Sequence, residues 1–298
     1  MIVAENQHNY PNQPAKQEHD KKMISDRIEA LKAVRANGHN IIFIDEKLRN
    51  DKEIVFTAVR NNPSSISHVS DEFKSNKELG LIAVKNFGLN LSNLNDNLKN
   101  DYDVVLAAVK DDGMALMCAS KEMQDNREIV LEATKKNGFY IQYASSRLKD
   151  DKDLLLWAAK TSGFAAEFAS DRLKDDKELA LVAVTNDGLS LTEFSDRIKD
   201  DADVATAAIK NCGESYKLIS SRLKHDDDIV KLAFDKSYKT FEFFPKDTSK
   251  YDEYRLEISK KDPEYLKWFD KCEADVKKYR EENREHIESL LGYFPEEE

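Results

Sequence analysis

Carboxylates are the most abundant groups in this chain that could do chemistry, with 57 Asp and Glu among 298 residues. Adjacent acids such as Asp150–Asp151 and Asp175–Asp176 could in principle supply a general acid–base pair. These pairs return in register along the chain, and a feature present in nearly every repeated segment reads as structural. The six histidines, His8, His19, His39, His68, His225 and His286, show no pairing at the helical spacing that metal ligation requires. Cys118, Cys212 and Cys272 are far apart and odd in number, which argues against a disulfide framework or a zinc site and for a reducing compartment. No glycine-rich phosphate loop and no Gly-x-Ser-x-Gly elbow is present. The expectation is a protein without enzyme activity and without a cofactor or metal.

The elements that would position these residues are set by an internal repeat. Gly38, Gly88, Gly113, Gly138, Gly163, Gly188 and Gly213 fall on one 25-residue grid, with Pro63 at the remaining point. Five residues before each grid point stands an alanine, as in Ala33, Ala108, Ala158 and Ala208, and Ala233 carries the series into a ninth, degenerate unit. Ten residues before it stands an acid, and ten after it an apolar residue.

Each column has a physical role. Asn50, Ser75, Asn100, Asp125, Asp150, Asp175 and Asp200 are good N-caps, with the acid three residues later completing a capping box. A first helix such as Lys152 to Lys160 is apolar nearly all round and predicts burial on more than one side. The grid glycine is expected to end that helix in the left-handed conformation, and a shorter second helix follows. The alanine column predicts a close helix–helix contact. One such unit cannot bury its own apolar helix, whereas stacked units can. The expected fold is therefore all-α: an α-solenoid of eight 25-residue two-helix repeats plus a helical C-terminal cap.

The expected organisation is a mobile polar leader over 1–22, a helical repeat array over 23–235, and a C-terminal cap or arm over 236–298. In that last segment Asp262 and Pro263 form an N-cap and a first-turn proline. Tyr265, Phe269, Cys272, Val276, Tyr279, Asn283, Ile287 and Leu290 recur at steps of three and four, a seam that either packs on the array or forms a coiled-coil arm. No run approaches the roughly 18 apolar residues of a membrane span. A net charge of -11 argues against non-specific nucleic-acid binding.

Two features could carry binding. One is a pair of basic columns: Arg35, Arg60, Lys85, Lys110, Lys135, Lys160 and Lys210, broken by Thr185, and Arg49, Lys74, Lys99, Lys149, Lys174, Lys199 and Lys224. Helix-dipole compensation and neighbouring acids account for both. The other is aromatic. Tyr140, Tyr143, Trp157, Phe164 and Phe168, with Phe139, concentrate in two adjacent units. Units differ little at their core columns, so if a contact surface lies on the repeats a protein partner is expected to be recognised where they differ, at these rings; the alternative is that the rings pack in the core or between repeats. Alternatives are a hydrolase or other enzyme with an unrecognised site, or a binder of anionic lipid or nucleic acid along the basic columns.

The unit "LKDDKELALVAVTNDGLSLTEFSDR" resembles the repeats of the domain of unknown function 4116 family, as do "DYDVVLAAVKDDGMALMCAS" and "REIVLEATKKNGFYIQYAS". The resemblance covers roughly residues 26–235. It implies a helical array and no known catalysis, so it transfers no active-site residues. Family members occur in bacteria that live inside eukaryotic cells, often among secreted effectors. That implies a cytoplasmic protein that could be translocated to act on a host protein. Glu281, Glu282 and Glu285 then resemble the acidic translocation signal of type IV secretion effectors.

Overall fold

The computed structural model describes residues 23–283. The expected leader over 1–22, and Glu285, Ile287 and Leu290, lie outside the described residues. The chain divides into two compact units, one ending at Ala133 and the other beginning at Thr134. Both are built from one three-part motif.

The first part is a long helix. Among the described residues there are nine: α1 (Arg27–Ala36), α2 (Lys52–Asn61), α3 (Lys77–Val84), α4 (Tyr102–Asp111), α5 (Arg127–Thr134), α6 (Lys152–Thr161), α7 (Lys177–Asn186), α8 (Ala202–Asn211) and α9 (Asp227–Lys236). Each N-cap lies one residue after the expected position. Asp51, Asn76, Asp101, Asp151, Asp176, Asp201 and Asp226 accept the first-turn N–H groups, as when Asp176 Oδ1 accepts from Leu179 N at 3.0 Å. The residue before each cap has a different task, described below.

The second part is a six-residue 3₁₀ segment starting at the grid position, such as Gly138–Tyr143, Gly163–Phe168 and Gly188–Glu193. The motif returns once more at Tyr238–Phe243, where Tyr238 takes the grid position. The expected shorter second helix is therefore a 3₁₀ turn. In some units the residue before the grid caps it, as Asp187 does by accepting from Leu189 N at 3.0 Å, whereas Phe87, Ser162, Cys212 and Ser237 make no such bond. The residue before the grid, as at Ser162, Asp187 and Cys212, is in extended backbone, so the long helix ends there and not at a left-handed glycine. The third part is a short turn of three or four residues, such as Asp171–Lys174 or Leu148–Asp150.

The grid glycine is needed for close approach. A Cβ on Gly138 would overlap the carbonyl oxygen of Ala158, and one on Gly163 would stand 2.6 Å from that of Ala183. The alanine column thus meets the preceding unit's 3₁₀ turn, where the sequence predicts a helix–helix contact. An asparagine near the end of the long helix ties the same joint. Asn186 Oδ1 accepts from Gly163 N at 2.8 Å, and its Nδ2 donates to Lys160 O at 3.0 Å.

Ile54, Leu79, Val104 and Leu116 are among the fully buried residues of the first unit, and Leu154, Leu179, Leu191, Tyr216 and Phe241 among those of the second. Beyond the array, α10 (Tyr251–Lys261) and α11 (Pro263–Glu282) close the second unit with aromatic packing. The Phe241 ring lies 4.6 Å from Tyr251 and 5.6 Å from Phe269, centroid to centroid. The expected seam packs only at its start: Phe269 is buried, whereas Val276 and Tyr279 are 52% and 63% exposed. One isolated bridge, Ile24 to Ile44, is the only β pairing among the described residues.

Candidate functional site

The acid pairs divide into two structural jobs. Asp176 caps α7 and also receives Lys152 Nζ at 2.9 Å, while Glu178 receives the same ammonium at 2.8 Å. Lys177 repeats this on Asp201 at 2.8 Å and Asp203 at 2.7 Å. Burial opposes ionisation of Asp176 and Asp201, but the ammonium and the cap N–H outweigh it, so both are held below the usual aspartate range. Asp175, the other member of the pair, clamps the following unit. It accepts from the Ser195 hydroxyl and from Arg197 Nε at 2.9 Å, and these bonds lower its carboxyl. Asp200 does the same with Ser220 and Arg222, the latter at 3.0 Å. These carboxylates are engaged in joining repeats.

The basic columns are partly engaged as well. Arg35 and Arg60 reach Glu53 and Glu78, each at 3.6 Å. Lys74, Lys99, Lys149, Lys174 and Lys199 of the second column give their main-chain carbonyls to the next unit, as Lys174 O accepts from Ser195 N at 3.0 Å. Lys224 Nζ turns inward to Lys217 O at 2.9 Å, and burial lowers its ammonium. Among the described residues no three His, Cys, Asp or Glu side chains converge as metal ligands. No described helix is long and apolar enough to cross a membrane.

The five aromatic candidates fall into two groups. Tyr140, Tyr143, Phe164 and Phe168 belong to the 3₁₀ segments and are half-buried. Phe168 meets Phe139 edge-on at 4.9 Å, with Lys149 Nζ 5.7 Å from its ring. Tyr140 occupies a column in which Ser65, Asn90, Ala115, Ala165, Ser190 and Ser215 are all buried, so its larger ring does not fit fully inside. Trp157 stands apart from these. It lies on α6, whose Leu154, Leu155, Ala158 and Ala159 are buried, and helical spacing turns it outward with Asp153 and Lys160. It is 42% exposed.

Next to this face is a recess that sequence reasoning missed. It measures about 490 Å³ and is lined by Lys160 of α6 and Leu181, Val182, Thr185 and Asn186 of α7. Val182 is the next member of the Trp157 column. Thr185, the one break in the first basic column, is among the residues lining the recess. At the far end of the chain, Glu281 and Glu282 are exposed on the last turn of α11, 4.0 Å from Lys277 and 3.7 Å from Lys278.

A family model for a domain of unknown function, DUF4116, matches the chain six times, over residues 26–74, 76–124, 126–174, 158–199, 176–221 and 201–248. The chain belongs to the DUF4116 family. No curated protein and no solved structure matches it. Each of the first three DUF4116 matches spans two of the 25-residue units described above, and the last ends just beyond the Tyr238–Phe243 turn.

Proposed function

We propose that this DUF4116 protein is a non-catalytic scaffold that binds a protein partner on the outward face of α6 and α7. The observation that carries the reading is Trp157: a large ring, 42% exposed, one helical turn from Lys160 at the edge of the α6–α7 recess, in a mixed column filled elsewhere by Thr57, Ile82, Ala107, Glu132, Val182, Ala207 and Leu232. An amphipathic ring at such a place supplies much contact area with few rotamers to freeze. The half-buried Tyr143, Phe164 and Phe168 would extend recognition onto the 3₁₀ side. The resemblance to families that occur among secreted effectors is the ground for reading the partner as a host protein, and Glu281 and Glu282, exposed on α11, belong to the acidic block read as a translocation signal.

The test is quantitative co-purification from host-cell lysate with wild-type protein, Trp157→Ala and Phe164→Ala, each checked for a native melting curve. The reading expects one set of partners lost with Trp157→Ala while stability drops by much less than the roughly 3–5 kcal/mol that removing a buried aromatic costs. Unchanged partners with Trp157→Ala, or unfolding of that variant, would refute it.

A further inference from the structure

The joint between α9 and the segment that follows it departs from the other joints of the second unit in three ways. Elsewhere a serine N–H bonds the lysine carbonyl of the preceding unit, as Ser170 to Lys149 at 3.1 Å, Ser195 to Lys174 at 3.0 Å and Ser220 to Lys199 at 3.0 Å. Pro245 takes that position and has no N–H; Lys224 O accepts instead from Tyr216 Oη at 2.8 Å. Elsewhere a lysine bridges the cap aspartate and the next acid; here Ala202 takes its place opposite Asp226 and Asp228. Elsewhere an aspartate receives an arginine 22 residues on, as Asp150 does from Arg172, Asp175 from Arg197 and Asp200 from Arg222. Here the polarity is reversed, with His225 in the aspartate column and Asp247 in the arginine column.

The imidazole geometry fits only the charged form. Nδ1 lies 2.7 Å from Ser221 O and Nε2 lies 3.1 Å from Asp247 Oδ1. Both partners are acceptors. A neutral ring carries one N–H, so either tautomer leaves a lone pair facing an oxygen. The imidazolium donates to both.

The charges around the ring agree with this. The start of α9 contributes Asp226, Asp227 and Asp228, which line one recess with His225, Asp247, Thr248 and Ser249. Ser249 Oγ donates to Asp227 at 2.6 Å. The nearby cations point elsewhere: Arg222 to Asp200, Lys224 to Lys217 O, and Lys246 to Glu273 at 3.0 Å. The positive end of the α9 dipole opposes the imidazolium, against its hydrogen bonds to Ser221 O and Asp247. The Ser221 carbonyl and then Asp247 raise the His225 imidazole above its ordinary value.

We propose that His225 is a protonation-dependent latch that holds the Pro245–Tyr251 segment, and through it α10, onto the last repeat. A raised folded value means the latch is fully engaged below the ordinary histidine value of about 6.5 and is lost as pH rises through the folded value. The companion joint of the first unit shows that the reversed direction alone is not the device. There Asn100 Nδ2 donates to Glu122 at 3.0 Å, and an amide does not titrate in this range.

The experiment uses the full chain. NMR follows the His225 ring through a pH titration in wild type and Asp247→Asn. Hydrogen exchange follows the amides of Thr248, Tyr251 and Tyr254 in wild type and in His225→Arg, which keeps the charge at all pH values. End segments of a repeat array open locally, so these amides report the joint and not global unfolding. The latch predicts a lower His225 midpoint in Asp247→Asn. It also predicts a wild-type to His225→Arg exchange ratio that rises about twofold or more between pH ~6 and ~8. A ratio that stays constant with pH, or a midpoint unmoved by Asp247→Asn, would overturn it.

Discussion

Asp175 and Asp176 show how much of each residue's task its neighbours decide. Both are acids before an apolar helix, and either type caps well. Composition could therefore place the cap only to within one residue; the three-dimensional joint assigns capping to Asp176 and clamping to Asp175. The glycine column was legible as a spacing, but its reason was not. No local pattern distinguishes a glycine that ends a helix from one that lets a backbone approach 20 residues away. The distinction is testable. Gly138→Ala forces a methyl into the Ala158 carbonyl and is expected to destabilise the protein by about 1–3 kcal/mol. Gly213→Ala meets side chains, the nearest at 3.2 Å, that can yield, so it should cost clearly less. Equal losses in urea titrations of the two variants would contradict this account of the column.

At the scale of the element, the long helices were readable from sequence because their apolar positions, their acidic first turns and their alanines all agree. The shorter partner was not. Segments such as "GFAAEF" are too short for periodicity to separate an α-helix from a 3₁₀ turn. The Asx caps present at some of these turns, such as Asp187, also resemble ordinary loop residues. The cap aspartates give these elements a common pH dependence. Asp101, Asp176 and Asp201 are held below the usual range in the folded protein. Their contribution is therefore present above the ordinary aspartate value of about 3.9 and lost as pH falls through the lower folded values. The cap aspartates' share of the unfolding midpoint should be flat from about pH 7 to 5 and then decline. Lys177→Ala removes the ammonium from Asp201 and Asp203, so it should be less stable at neutral pH and lose less on acidification. Parallel acid profiles for the two proteins would count against the ion pairs as the cause.

For the molecule as a whole, repetition explains both what the sequence disclosed and where it stopped. Columns shared by many units, such as the buried alanines and the clamping aspartates, are accounted for by joining one unit to the next. Departures from the columns are what distinguish one unit from another: Trp157, Thr185, Tyr140 and His225. Trp157 was legible as such a departure. The α6–α7 recess of Leu181 and Val182 was not, because those residues look like core in one dimension and become surface only when α6 and α7 pack. The 3₁₀ aromatics lie close to Trp157 in sequence but on a different part of the motif, and only the structure separates them. The central claim is that a partner is recognised at the departures and not along the uniform columns. The most direct measurement places a photo-crosslinking amino acid at position 157, and in a second protein at position 207 of the same column, inside host cells. The account predicts a discrete crosslinked host protein from position 157 and none from position 207. No crosslink at 157, or the same crosslinks from both positions, would contradict it.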